Sequence, residues 1–155
     1  MRADARHLPV RGVFDVVLSA CQGAFGLQGG PAAVPGGPDQ GDEAILAGAA
    51  SALRPGGRLA LTAFSAYFAS RHLEEGETFD AATGTVTERT TVRDPGGAPL
   101  DTELWTTCYT PRELRLAAGA AGLEPEAVWS VAPGAWSRRP PDVEHPEFLM
   151  IARRR

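Results

Sequence analysis

The 155-residue chain contains no lysine. That removes the Tyr-x-x-x-Lys pair on which a nicotinamide-dependent oxidoreductase with this kind of sheet would rely. No G-x-S-x-G stretch occurs either, which excludes the nucleophile elbow of an α/β-hydrolase. Cysteine is nearly absent. Cys21 and Cys108 have neither metal-ligand spacing nor the density of a disulfide scaffold, and both read as free thiols. No apolar run approaches the roughly 20 residues a membrane helix needs. The opening MRADARHLPVR has no apolar centre of a signal peptide, so a cytoplasmic protein with no membrane partner is expected. Basic side chains are scattered and the net charge is -4, which excludes a nucleic-acid backbone as main partner. Arg153, Arg154 and Arg155 form the one basic run and read as a solvated tail.

What is present is ordinary for a folded domain: 43% hydrophobic and 22% charged residues. A single domain over 1–155 is expected, burying about two-thirds of the surface its unfolded chain exposes. VFDVVLSA, 13–20, is apolar on both faces and rich in β-branched residues, as a central parallel strand would be. A long Gly/Pro loop follows. Asp39 or Asp42 can then cap the helix EAILAGAASAL, whose Ile45, Leu46, Ala49, Ala50 and Leu53 recur on one face. RPGG, 54–57, stops that helix and RLALTAF, 58–64, gives a second buried strand. Strand, helix and strand in this order predict a right-handed parallel βαβ unit.

Beyond Phe64 the texture changes. TGTVTERTTVR and LDTELWTTC alternate apolar and polar residues around DPGG, 94–97, predicting a hairpin. In Y-T-P-R-E-L, Thr110 is a good N-cap, Pro111 suits the first helical position and Glu113 completes a capping box. A helix over 111–121 should therefore end at Gly122. AVWSV, 127–131, and FLMIA, 148–152, read as two further strands across a polar loop with four prolines. The strand at 13–20 finds only one parallel partner, 58–64, so one of its edges is left bare. The expectation is the second half of a doubly wound sheet, an incomplete or truncated chain.

Four stretches, in this order, carry a resemblance: D-A-R-H-L-P at 4–9, F-D-V-V-L-S at 14–19, L-R-P-G-G-R-L at 53–59, and Y-T-P-R-E-L at 109–114 followed by A-G-L at 121–123. Together they resemble class I S-adenosylmethionine-dependent methyltransferases, in the portion after their third strand. The resemblance implies an α/β fold: a partial Rossmann-like sheet of parallel strands with an antiparallel last strand and an inserted β-hairpin, 83–108, as a lid. It implies S-adenosylmethionine as cofactor and a small-molecule methyl acceptor. Asp4 would accept from the adenine amino group, with Ala5 and Arg6 against the ring; a plain cap is the alternative for Asp4. Ser19, Ala20 and Cys21 would pass the methionine part, or merely end a strand.

For the acceptor the resemblance implies an aromatic wall of Phe25, Tyr67, Trp105, Tyr109 and Trp136, with Phe68 beside Tyr67; ordinary core packing is the alternative. His145 is the candidate general base, ahead of His7 and His72, with a plain surface histidine as the competing role. The family's Gly-rich loop after strand one and its ribose-holding acid after strand two have no counterpart, and the Gly-rich stretch at 29–41 follows the wrong strand to replace them. A non-catalytic remnant that pairs its bare sheet edge with a partner chain, or with a second copy as a homodimer, is the other function the residues allow.

Overall fold

A computed structural model describes residues 3–21, 24–29, 38–93 and 96–155. Most of the Gly/Pro loop, the first half of the DPGG turn and the side chain of Asp39 lie outside the described residues. The scaffold is a parallel pair: β1 (Phe14–Ser19) runs beside β3 (Leu53–Ser65), linked through α1 (Pro38–Ala52). This is the anticipated βαβ unit. Phe14 pairs with Leu53 but Val16 with Arg58, so Arg54-Pro55-Gly56-Gly57 bulge out between helix and strand. Gly56 takes φ +79°, and a Cβ on Gly57 would stand 3.0 Å from the Asp15 carbonyl, so both glycines are needed for this tight passage.

On the other edge of β3 lies β9 (Glu147–Arg154), antiparallel, then β7 (Leu123–Ala132) and β8 (Ala135–Arg139). The last strand is therefore antiparallel, as expected. β8 corrects the reading of this region as a polar loop: AWSRR lacks apolar alternation, and its pairing to β7 at Ser130 and Ala132 supplies what its own pattern does not. The hairpin forms from β5 (Thr85–Arg93) and β6 (Pro99–Tyr109) in continuous antiparallel register. Two short strands, β2 (Leu27–Gly29) and β4 (Thr78–Asp80), pair with β6 and β5 respectively.

The core lies on one face of the sheet. Ile45, Leu46, Ala49 and Ala50 bury there, as their spacing predicts, against Leu59, Leu61, Phe148 and Met150, whereas Leu53, expected at the end of the helix, opens β3 and joins the same cluster from the strand. Leu114 and Ala118 of α3 (Pro111–Ala120) join the same cluster. That helix opens as read: Thr110 Oγ1 accepts from Glu113 N, Glu113 Oε2 accepts from Thr110 N, and Pro111 sits in the first turn. Asp42 is no cap. It lies in the second turn of α1, buried, accepting from Gly26 N at 2.8 Å and from the Tyr109 phenol at 2.6 Å.

Among the described residues, the opposite face carries no helix that covers β1. Val16 and Leu18 pair with Arg58 and Ala60 and so share their face, yet they are 63% and 69% exposed. Val17, one step out of phase, packs into the core instead. Phe14, Val16 and Leu18 thus form an exposed apolar face and Asp15, Val17 and Ser19 the other, which corrects the expectation of a strand apolar on both faces; among the described residues β1 has a partner along one edge only.

Candidate functional site

One edge of β3 serves two partners in succession. β1 occupies it up to Leu61, and β6 takes it over at Phe64 and Ser65, which pair in parallel with Cys108 and Tyr109. Between the end of β1 and the hairpin the sheet opens. Crevices of this kind, at the carboxyl ends of parallel strands, are where open α/β sheets bind ligands.

A cavity of about 440 Å³ fills the opening. Cys21 and Leu27 line it from the segment after β1, Phe64 and Ser65 from the end of β3, and Val86, Glu88, Leu104, Thr106 and Cys108 from one face of the hairpin. The rest of the wall comes from α2 (Ala66–Ala69) and the loop after it: Phe68, Ala69, His72, Leu73, Glu74 and Glu77. Ser65 is fully buried and builds this corner. Its hydroxyl caps α2 by accepting from Phe68 N, and its own N–H donates to the Pro146 carbonyl at 2.8 Å, which ties the last loop to the cavity rim. Cys21 has φ +53°, a strained conformation for a residue with a side chain, at the point where the chain leaves β1.

Charge in the cavity has one sign. Burial, with the charges of Glu77 and Glu74 and a hydrogen bond to Glu77, holds the Glu88 carboxyl above its ordinary range. The Cys108 thiol is pushed up to about 12, chiefly by burial and further by Glu77, so it stays neutral and is no nucleophile. His72 stacks on Phe68 with ring centroids 4.2 Å apart.

The residues singled out in the sequence divide around this opening. Cys21 lines the cavity, with Ser19 and Ala20 just before it at the end of β1. Asp4 caps a 3₁₀ turn, Ala5–His7, accepting from Arg6 N while its carboxylate also pairs with the Arg6 guanidinium at 2.8 Å. Arg6 thereby holds that carboxyl down at about 2. The turn seats on α1: a Cβ at Gly48 would meet the Ala5 carbonyl at 3.0 Å. Phe25 is fully buried and stacks on Tyr109 at 4.8 Å, and both line a second cavity of about 260 Å³ with Asp42 and Thr107. Tyr67 is 40% exposed and meets Phe148 edge-on. Trp105 sits on β6 facing away from the larger cavity's lining, since Leu104 and Thr106 point into it. Trp136 lies on β8 in a cleft on the helix-free face, with Trp129, Leu149 and Ile151.

His145 is pinned by both ring nitrogens, Nδ1 to Asp142 Oδ1 at 2.8 Å and Nε2 to Arg139, and only its neighbour Pro146 reaches the cavity. Burial opposes ionisation of Asp142, but its bonds from His145 and from the Glu144 and His145 amides outweigh that and hold its carboxyl low. The histidine that does line the cavity is His72. Its signal was the i, i+4 spacing from Phe68 beyond a short capped helix, which places one ring over the other.

Known structures converge on this scaffold. The CcbJ methyltransferase from Streptomyces caelestis superposes with a TM-score of 0.68 at 20% identity, over 98% of this chain and 62% of its own. An S-adenosylmethionine-dependent methyltransferase from Clostridium acetobutylicum gives 0.69 at 12% identity, over 98% and 63%. The chain has a methyltransferase-like fold. A third structure, the amino pentose methyltransferase of calicheamicin biosynthesis from Micromonospora echinaspora, solved with S-adenosylmethionine bound, gives 0.59 at 23% identity over 99% and 63%. The chain thus spans 62–63% of the length of these methyltransferases. No protein-family model matches it, and no curated protein matches it. No described helix is long and apolar enough to cross a membrane.

Proposed function

We propose that this methyltransferase-like chain takes part in S-adenosylmethionine-dependent methyl transfer to a small-molecule acceptor in the cytoplasm. The observation that carries the reading is the 440 Å³ cavity opening where β1 ends and the hairpin begins, with Cys21 on its rim. The donor would supply an electrophilic methyl on a sulfonium. The residues present fit it in part. Ser19, Ala20 and Cys21 stand at the strand end where the sulfonium end would lie, and Asp4, Ala5 and Arg6 form a turn fixed on α1 for the adenine end. Asp4 would have to loosen its hold on Arg6 to accept from adenine. The sequence has no counterpart of the Gly-rich loop and ribose-holding acid that the resembled family carries after its first and second strands. The hairpin 83–108 acts as the acceptor lid, and in this role the chain's own task is orientation: keeping acceptor and methyl in line.

Backbone NMR during titration with S-adenosylhomocysteine into the millimolar range tests this. Saturable shifts confined to Ala5–Arg6 and Ser19–Cys21 are expected. Ligand binding that leaves both segments unmoved, or no binding at all, overturns the proposal.

A second reading is favoured by a separate observation: Val16 and Leu18 of β1 are exposed, and among the described residues the strand has a partner along one edge only. It gives the chain a role through protein–protein pairing, with a partner chain completing the sheet beside β1.

A further inference from the structure

The cavity's composition points beyond methyl transfer in general. Its walls are largely apolar, from Phe64, Phe68, Leu73 and Leu104, and its ionisable groups apart from Cys21 and Cys108 are three glutamates and one histidine. Among the described residues no arginine lines it, and the chain has no lysine to offer. Glu74, Glu77 and Glu88 line the same cavity, and Glu74 N fixes Glu77 by donating to its Oε2 at 2.8 Å. Two carboxyl groups facing each other without a cation repel once both ionise. A ligand ammonium removes that penalty and gains charge-assisted hydrogen bonds. An anionic acceptor would add to it.

We propose, resting on the reading above, that the acceptor is an amine with an apolar or ring-bearing body: Glu77 and Glu88 hold its ammonium, and His72 takes the proton that blocks its lone pair. The proton passes from nitrogen to a His72 ring nitrogen, leaving a neutral amine. The freed pair forms the nitrogen–carbon bond to the methyl of the sulfonium donor, the carbon–sulfur bond breaks, and its electrons remain on sulfur. Positive charge moves from sulfur to nitrogen, still beside the glutamates. Phe68 holds the His72 ring by stacking and so fixes where the proton is received.

The test needs no methyl donor, so it can fail independently of donor binding. Benzylamine, benzyl alcohol and benzoate, matched in shape and different in charge, are titrated calorimetrically into the full chain at neutral pH. His72 ring resonances report the site. Benzylamine should bind about tenfold tighter than the alcohol, with benzoate weakest, and should shift the His72 signals. Glu77→Gln with Glu88→Gln should bring amine and alcohol within about twofold. Glu88→Gln alone, with thermal unfolding as a check on folding, should give an intermediate preference. Equal binding of amine and alcohol, preference for benzoate, no saturable amine binding, or a preference that survives the double substitution would each overturn the proposal.

Discussion

The phenol of Tyr109 donates a 2.6 Å hydrogen bond to Asp42, joining the last residue of the hairpin to the second turn of α1 across 67 positions of sequence. The partner carboxylate is buried, and its other oxygen accepts from Gly26 N. The bond therefore fixes three segments around the strand ends at once. Tyr109→Phe keeps the ring that stacks on Phe25 and removes only the donor. It should cost about 2 kcal/mol and lower Tm by roughly 4–8 °C in thermal unfolding followed by circular dichroism. An unchanged Tm would show the bond to be ornamental.

The carboxyl of Glu88 gives a pH dependence of definite sign. Its value is raised in the native state, so from about the ordinary glutamate value of 4.5 upward the folded protein binds more protons than the unfolded one, and stability falls as pH rises through the native value. Glu88→Gln cannot ionise and escapes that fall. The substituted chain should unfold roughly 1–3 °C higher than the parent at pH 7, and the gap should close towards pH 4. A gap constant with pH, or of opposite sign, would remove Glu88 from the list of strained groups.

Leu18 is 69% exposed on a strand that, among the described residues, is paired along one edge only. Leu18→Lys places a charge there without touching the core and should shift Tm by no more than about 2 °C. If the face seeks a partner, sedimentation velocity should show the parent chain self-associating with concentration and the substituted chain remaining monomeric, since lysine on an edge strand blocks pairing. Identical sedimentation of the two would count against a role through pairing.

How far the sequence could be read follows from the range of the forces involved. The βαβ unit, the hairpin and α3 were legible because local pattern and burial agree: apolar runs at 14–19 and 58–64, alternation across 85–108, and a capping box at Thr110. Asp42 misled because an acid near a helix start is locally a cap, whereas its true partners, Gly26 and Tyr109, are brought to it only by tertiary packing. His145 drew attention by lying before the last strand, yet Asp142 and Arg139 bind it in place, while His72 reaches the cavity through a helix of four residues that no periodicity announces. β8 was missed for the same reason as β2 and β4: short or polar strands take their identity from the strand they join.

The hairpin hangs from the scaffold's central strand through two residue pairs in register, Phe64 with Cys108 and Ser65 with Tyr109. Because these pairs and the side-chain ties of Tyr109 all gather at the hairpin's inner end, its outer arms can change in sequence while β1, β3 and β9 keep their alignment. The outer part of the hairpin is thus structurally separable from the registers of β1, β3 and β9, much as a branch can be pruned without moving the trunk.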